Sequence, residues 1–223
     1  MNPTIEKLIK QFAKLPRVGG RAAQRIVLGL LQDKTGRAAA LGAALIDAAG
    51  QIAPCAVCGT LTDNREHAAP ICEFCRDHSR ANGQLCIVRD LADVWTLEKS
   101  GIFRGRYHII GGLLSGQAGI TPADLNIATL PARIVNEEIT EIIFALPNTI
   151  EGKTTQHYIM NTLKIEGQKD KRTKGQTKEE QMSICPFDLL SFTELASGVP
   201  LGGDLDYIDD GTLNIAFGGR KKI

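Results

Sequence analysis

Apolar side chains recur at the spacing of α-helices through the first fifty residues. A first helix is predicted over residues 4–15, with Thr4 as its cap, and a second follows the turn at residues 16–20. A third, alanine-rich helix is predicted over about residues 35–52, because Pro54 disfavours helical backbone immediately before it. The pattern therefore predicts a small all-helical module at the start of the chain.

From residue 85 onwards the chain alternates between short apolar runs and helical patterns. Strands are predicted at residues 85–89, 107–110, 140–146 and 189–194. Helices are predicted at residues 90–100, in part of 122–136, and at 151–164. Asp90 is placed to cap the first of these helices, and Gly101 is placed to end it. Strands that alternate with helices predict a mostly parallel sheet with both faces covered.

Two later stretches do not fit this alternation. Residues 166–181 are almost wholly polar, which predicts a flexible surface loop. Residues 195–223 begin with a turn rich in glycine and end in a predicted short helix. The tail aspartates are predicted to be mostly helix caps and solvated carboxylates, with metal coordination as the alternative. They are Asp204, Asp206 and Asp209.

The composition is that of a globular protein. Of the 223 residues, 43% are hydrophobic and 23% are charged, so a core can form and wholesale disorder is not expected. No apolar run is long enough for a transmembrane helix, and residues 1–14 lack the apolar region of a secretory signal. A cytoplasmic protein with no membrane partner is therefore expected.

The net charge of +1 conceals an uneven distribution of charged residues. Residues 1–52 hold eight Lys or Arg against three Asp or Glu, a net charge of +5. The net charge is −1 over residues 53–80 and −3 over residues 81–223. A polyanion is therefore expected to bind at the N-terminal end of the chain.

The turn between the first two predicted helices combines glycines with arginines. The glycines, Gly19 and Gly20, leave the first N–H groups of the second helix unpaired, and such donors suit a phosphate oxygen. Arg21 and Arg25 share one face of that helix, and Arg17 lies in the turn. The pattern is typical of a helix-hairpin-helix that grips the DNA backbone, although Arg17 stands where such hairpins usually have glycine. The alternative is an ordinary helical corner with a solvated basic face.

Four cysteines lie in a segment with too few apolar residues to build a core, residues 54–80. They form two Cys-x-x-Cys pairs separated by thirteen residues, which is the spacing of a four-thiolate zinc site. A filled tetrahedral shell predicts a structural Zn²⁺ rather than a catalytic one. Two redox pairs or an iron–sulfur cluster are the alternatives. The predicted ligands are Cys55, Cys58, Cys72 and Cys75.

The alternating region resembles a known fold at three quoted stretches. These are Leu-Cys-Ile-Val-Arg89-Asp90, Tyr107-His-Ile-Ile-Gly-Gly-Leu-Leu-Ser115 and Gly119-Ile-Thr-Pro-Ala-Asp-Leu125. They are similar to the Toprim domain of the RecR family of bacterial recombination mediators. Active Toprim enzymes hold Mg²⁺ through a glutamate after the first strand and an Asp-x-Asp after a later one.

This chain departs from the Toprim pattern at both places. Arg89 stands where active members have glutamate, and residues 147–152 contain no Asp-x-Asp. Phosphoryl-transfer chemistry is therefore not expected, and a Mg²⁺-dependent Toprim enzyme is the alternative. The resemblance instead implies that Glu151 faces a protein partner.

A second nucleotide-binding pattern is incomplete. Gly152, Lys153 and Thr154 follow a predicted strand and open a helix, as the end of a P-loop does. Pro147 occupies the position of the first P-loop glycine, and it removes an N–H from the phosphate cradle. These residues are therefore expected to be an ordinary helix N-terminus with a solvated lysine. An ATPase is the weaker alternative.

The resemblance to the RecR family extends over nearly the whole chain and fixes the expected domain order. A helix-hairpin-helix module (1–53) precedes a four-cysteine zinc finger (54–80), a Toprim-like domain (81–194) and a Walker-B-like tail with a helix (195–223). The 166–181 stretch is expected to be an insertion. The resemblance implies a non-catalytic, DNA-binding mediator of recombinational repair. It also implies RecO-like and RecF-like partners and a homo-oligomeric ring.

Overall fold

The computed structural model describes residues 2–64, 69–174, 187, 189–196 and 208–223. The chain divides into two compact units, Met1–Ile52 and Ala53–Ile223. Among the described residues, no helix is both long and apolar enough to cross a membrane.

The first unit consists of three helices, α1 (Pro3–Phe12), α2 (Gly20–Gln32) and α3 (Arg37–Gln51). The cap predicted at Thr4 is wrong, because the Asn2 side chain accepts a hydrogen bond from the Thr4 N–H at 2.9 Å. The helix therefore begins at Pro3, whose missing N–H costs nothing in a first turn. Helix α3 begins two residues later than predicted, after Gly36 in the left-handed region (φ 82°).

The cysteine segment begins at the boundary between the two units. Two short strands, β1 (Ile52–Pro54) and β2 (Leu61–Asp63), pair with each other and were not predicted from the sequence. One turn of helix, α4 (Glu73–Arg76), follows, and a 3₁₀ turn at His78–Arg80 leads into the main sheet.

In the described part of the chain, the main sheet has five strands. They are β3 (Gln84–Val88), β4 (Arg106–Ile109), β5 (Glu141–Ala145), β6 (Ser191–Glu194) and β7 (Lys221–Lys222). The spatial order is β4-β3-β5-β6-β7, and every neighbouring pair is parallel except β6 with β7. Cys86 pairs with Tyr107 on one side and with Ile143 on the other. The prediction of a mostly parallel sheet is confirmed.

Helices cover both faces of this sheet, and alternate strand residues enter two separate cores. The helices are α5 (Leu91–Ser100), α6 (Leu130–Asn136), α7 (Ile150–Lys174) and α8 (Asp210–Gly218). On one face Leu85 and Ile87 pack in a cluster that includes Leu130 and Ile159. On the other face Cys86 and Val88 pack in a cluster that includes Leu97 and other residues of α5 and α8. The two-residue alternation of a strand that is buried on both faces explains this division.

Several predicted boundary signals are confirmed. Asp90 and Asp93 form a capping box at the start of α5, and Gly101 ends the helix in the left-handed region (φ 66°). Asp209 caps α8 by accepting a hydrogen bond from the Thr212 N–H at 2.9 Å. Asp204 and Asp206 lie outside the described residues.

The flexible loop predicted at residues 166–181 is wrong over its first part. Helix α7 continues to Lys174, ten residues beyond its predicted end, and residues 175–181 lie outside the described part of the chain. The physical reason is intrinsic propensity, since Glu, Gln, Lys and Arg are good helix formers even where no apolar stripe guides them. A polar composition therefore did not distinguish a solvated helix from a loop.

Candidate metal centre and nucleic-acid interface

The four predicted metal ligands come together at one point of the second unit. Their Sγ atoms all lie within 4.8 Å of one another, and three of the four residues are buried. Cys58 Sγ and Cys72 Sγ lie 3.4 Å apart. Val57, Ile71 and Phe74 pack around the sulfur atoms.

Backbone hydrogen bonds shape each Cys-x-x-Cys pair as a tight turn. In the first pair the Gly59 N–H donates to the Cys55 carbonyl at 3.0 Å, and Gly59 adopts the left-handed region (φ 81°). In the second pair the Cys75 N–H donates to the Cys72 carbonyl at 3.2 Å. The Cys72 N–H also points at Cys55 Sγ, 3.4 Å away, and so links the two turns.

The chemistry of the four sulfur atoms fits a soft divalent cation. Hydrogen bonds from Cys58, and after it from Cys72 and Cys75, lower the pKa of the Cys55 thiol. Hydrogen bonding to Cys55 raises the pKa of Cys58, because only one sulfur of such a pair carries the negative charge. All four sulfur atoms can be thiolates at this spacing only if a cation lies among them. Four thiolates are a typical ligand set for Zn²⁺.

The cysteine cluster is attached to the open edge of the main sheet. The Ile109 N–H of β4 donates to the Cys58 carbonyl at 2.8 Å, so the first turn covers part of that edge. Phe74 packs edge-on against Tyr107 of β4, with 5.6 Å between the ring centroids. The guanidinium of Arg80 lies 5.0 Å from the centroid of the Phe74 ring and forms a two-pronged ion pair with Glu98.

The predicted DNA-binding arginines lie at the start of α2. Gly19 is the N-cap of this helix and supplies no side-chain acceptor, and the first turn contains no acidic residue. The space that a Cβ of Gly19 or Gly20 would enter holds no atom within 4 Å. Arg21 and Arg25 are exposed one helical turn apart. The N-terminal end of α2 therefore offers open N–H donors close to cations, and the first turn of the helix holds no acidic residue.

Arg17 completes the hairpin in an unusual backbone conformation. Its φ of 63° lies in the left-handed region, which glycine adopts far more readily than arginine. The Val18 N–H closes the turn onto the Leu15 carbonyl at 3.1 Å. Arg17 thus adopts the conformation that the usual glycine of such hairpins favours.

Arg89 directly follows β3 at the carboxyl edge of the sheet, where the sequence resemblance placed the Toprim glutamate. Its Nε lies 2.8 Å from Asp90 Oδ2, and its Nη2 lies 3.9 Å from Asp93 Oδ1. Both aspartates also accept backbone N–H groups at the start of α5. These two carboxylates therefore serve to cap a helix and to hold an arginine.

The incomplete P-loop is part of the packing between α7 and its neighbours. A Cβ on Gly152 would lie 2.0 Å from the Pro147 carbonyl oxygen, so glycine is required for close packing. Lys153 Nζ pairs with Glu194 Oε2 at 2.6 Å. The Thr154 hydroxyl donates to the Ile150 carbonyl at 2.8 Å. The lysine and threonine of the motif are thus engaged by the protein itself, and Glu151 lies exposed in the first turn of α7.

Sequence reasoning missed a buried polar network beside the cysteines. Arg133 of α6 is 5% exposed, and its Nη1 lies 2.6 Å from the Tyr107 carbonyl and 3.1 Å from His108 Nδ1. His108 Nε2 lies 2.6 Å from the Asn126 carbonyl, which assigns the ring proton to Nε2. The available signal was the spacing of four between Arg133 in α6 and Glu137, the residue that caps the end of that helix; a hydrogen bond of 3.0 Å joins the two side chains.

Comparisons with known proteins identify three parts of the chain. Residues 5–49 match the family described as RecR, helix-hairpin-helix, and residues 83–173 match the Toprim domain. Residues 198–221 match the family described as RecR, C-terminal.

Two relatives of nearly the same length carry the same name. The chain is 42% identical over 219 residues to the Recombination protein RecR of Paracoccus denitrificans (strain Pd 1222), covering 98% of this chain and 96% of that protein. It is 41% identical over 221 residues to the Recombination protein RecR of Maricaulis maris (strain MCS10), covering 99% of this chain and 96% of that protein. At these identities over the full length, the chain belongs to the RecR family.

Proposed function

We propose that this protein is a non-catalytic, DNA-binding mediator of recombinational repair that acts in the cytoplasm. In this role it promotes the loading of a recombinase onto DNA together with RecO-like and RecF-like partners. It works as a homo-oligomeric ring, and Glu151 faces a protein partner. The relatives' printed name, Recombination protein RecR, supports the pathway.

The observation that carries the proposal is the start of α2. A helix N-terminus with a glycine cap, no acidic residue in its first turn and three surrounding arginines suits a DNA phosphate. The arginines are Arg17, Arg21 and Arg25. Phosphate contacts fix position but carry no sequence information, so binding is expected to be sequence-independent and sensitive to salt.

The non-catalytic part of the proposal rests on the sheet edge. Arg89 brings a cation to the place where a Mg²⁺-dependent Toprim enzyme needs a carboxylate, and Asp90 is engaged with Arg89 and with the helix cap. A P-loop ATPase is opposed by Pro147 and by the Lys153–Glu194 ion pair. We therefore assign this region to positioning and partner contact.

Zn²⁺ is the proposed resident metal. Its ligands would be Cys55, Cys58, Cys72 and Cys75. The metal would cross-link a segment that has too few apolar side chains to form a core. The proposed domain boundaries follow residues 53, 80 and 194. Along the sequence, the zinc segment therefore lies between the DNA-binding module and the Toprim domain.

The proposal is tested by fluorescence anisotropy with labelled DNA across a salt series. The double variant Arg21→Ala/Arg25→Ala should bind more weakly, and its plot of log K against log [salt] should be shallower by about two phosphate contacts. The matched control, Lys7→Ala/Lys10→Ala, removes the same charge from α1 of the same unit, where both lysines are exposed. The control should bind DNA slightly more weakly than the wild type, because the unit has lost positive charge. Its plot of log K against log [salt] should keep nearly the slope of the wild type.

Two results would contradict this assignment. If the Arg21/Arg25 variant binds as well as the wild type, the DNA contact lies elsewhere. If both double variants lose the same affinity and slope, binding depends on the overall charge of the unit and not on the start of α2.

A further inference from the structure

The buried network around Arg133 carries an excess of positive charge. Arg133 and Arg106 share one carboxylate, Glu137, whose two oxygens lie 3.0 Å from Arg133 Nε and 3.0 Å from Arg106 Nη1. Among the described residues, the recorded ion pairs give neither arginine another acidic partner. The three side chains are 4–13% exposed, so water screens this charge poorly.

The nearest groups do not neutralise this excess. Arg133 Nη1 donates to the Tyr107 carbonyl, which is a neutral acceptor. His108 Nδ1 is the acceptor for the same nitrogen, and burial lowers the pKa of the ring to about 4, so the imidazole is neutral at pH 7. A buried cation without a matching anion is costly, and it normally pairs with one.

The cysteine cluster lies at the remaining donor of the guanidinium. Arg133 Nη2 lies 4.0 Å from Cys75 Sγ and completes a planar fork whose other nitrogens hold the carboxylate, the carbonyl and the imidazole. A divalent cation held by four thiolates carries a net charge of −2. The metal-loaded cluster would therefore supply the anion that the buried network lacks.

We infer that Arg133 is a positioning residue for the metal centre, one that orients Cys75 and offsets the negative charge of the loaded cluster. This inference rests on the proposed zinc site, and it adds a residue 58 positions away in the sequence. Groups that donate hydrogen bonds to metal ligands typically change metal affinity by about 10- to 100-fold. Loss of the guanidinium should have an effect of that size.

The test compares Zn²⁺ affinity among four full-length proteins, the wild type, Arg133→Met, Arg133→Lys and Arg106→Met, by competition with a chromophoric chelator. Arg133→Met should release Zn²⁺ at a chelator concentration about tenfold lower or more. Arg133→Lys keeps the charge but loses the fork, so its affinity should lie between those of Arg133→Met and the wild type. Arg106→Met is the matched control, because it removes the other partner of Glu137 and leaves the Arg133–Cys75 contact in place.

A spectroscopic measurement separates this role from general packing. In the Co²⁺-substituted proteins the thiolate-to-metal charge-transfer band should shift in both Arg133 variants and stay in place in Arg106→Met. If Arg133→Met does not fold, Arg133→Lys gives the same comparison. An unchanged band and affinity in the Arg133 variants, or an equal change in Arg106→Met, would overturn the inference.

The outcome for the wild type keeps the two proposals apart. If the wild type and the Arg133 variants bind Zn²⁺ equally tightly, the role proposed for Arg133 is wrong and the proposed metal site stands. A wild type that binds neither Zn²⁺ nor Co²⁺ contradicts the proposed metal site, and the inference fails with it. The anisotropy measurement on Arg21 and Arg25 does not depend on either result.

Discussion

The two compact units bury their apolar side chains to very different extents. In the second unit, four consecutive residues of β3 from Leu85 to Val88 are completely buried, and core clusters lie on both faces of the sheet. In the described part of the first unit, the fully buried residues are Ala23 and Val27. On α3, Leu45 is 60% exposed and Ile46 is 77% exposed.

The difference shows how each unit is expected to obtain its stability. The second unit has a core of the usual kind, and the cysteine segment within it can use a metal where apolar residues are scarce. Three helices with so little buried surface are marginal by themselves, because small modules rarely bury enough apolar area. The proposed homo-oligomeric ring would provide a second surface for the exposed apolar residues of the first unit.

The same substitution in each unit should give the largest contrast. Leu97→Ala removes a completely buried side chain of α5 and should lower the free energy of unfolding by about 2–5 kcal/mol. Leu45→Ala on α3 removes a mostly exposed side chain and should change it by less than about 0.5 kcal/mol in the monomer. Urea denaturation of both variants, at low protein concentration, checks the comparison.

Protein concentration sharpens this result. If Leu45 is covered in an oligomer, the cost of Leu45→Ala should grow as the wild type associates, while the cost of Leu97→Ala stays constant. Equal costs for the two variants at every concentration would contradict the contrast between the units.

The second unit should also respond to pH through His108. Burial lowers the pKa of His108 from 6.5 to about 4, and the charge of Arg133 acts in the same direction. Because the folded pKa is lowered, the unfolded chain takes up a proton first as the pH falls below 6.5. Stability is therefore fully present above about pH 6.5 and is lost progressively towards pH 4, by up to about 3 kcal/mol.

Denaturation curves between pH 4 and pH 7.5 measure this loss. His108→Gln is expected to be less stable than the wild type at neutral pH. Its free energy of unfolding should change much less between pH 6.5 and pH 4, because glutamine does not titrate. His157→Gln is the matched control, because His157 is exposed on α7. If the free energy of unfolding of His108→Gln falls with pH as steeply as that of the wild type, groups other than His108 cause the loss of stability.

The sequence predicted most of what depends on local patterns. The apolar runs located β3, β4 and β5, the capping signals at Asp90 and Gly101 were correct, and the cysteine spacing identified a real cluster. Strand β7 was missed because two exposed lysines carry no apolar signal. The contact between His108 and Arg133 was missed because it joins residues 25 positions apart, and no local pattern encodes such a pairing.

Arg17 shows a further limit, because its identity alone did not reveal its backbone conformation. Glycine is the residue expected at positive φ, and a non-glycine residue there costs about 1–2 kcal/mol. Arg17→Gly should therefore stabilise the first unit, by about 0.5–1 kcal/mol after the greater freedom of glycine in the unfolded chain is counted.

Gly101→Ala supplies the opposite change in the second unit at nearly the same φ, 66° against 63°. No atom lies within 4 Å of the position that its Cβ would take, so backbone strain is the main expected effect. It should lower the free energy of unfolding by about 1 kcal/mol, opposite in sign to Arg17→Gly. Thermal unfolding of both variants measures the two signs, and anisotropy with DNA should show Arg17→Gly binding more weakly despite its greater stability. If Arg17→Gly is instead destabilised, the contacts of the Arg17 side chain outweigh the strain of its backbone, and the turn depends on arginine for stability as well as for the proposed DNA contact.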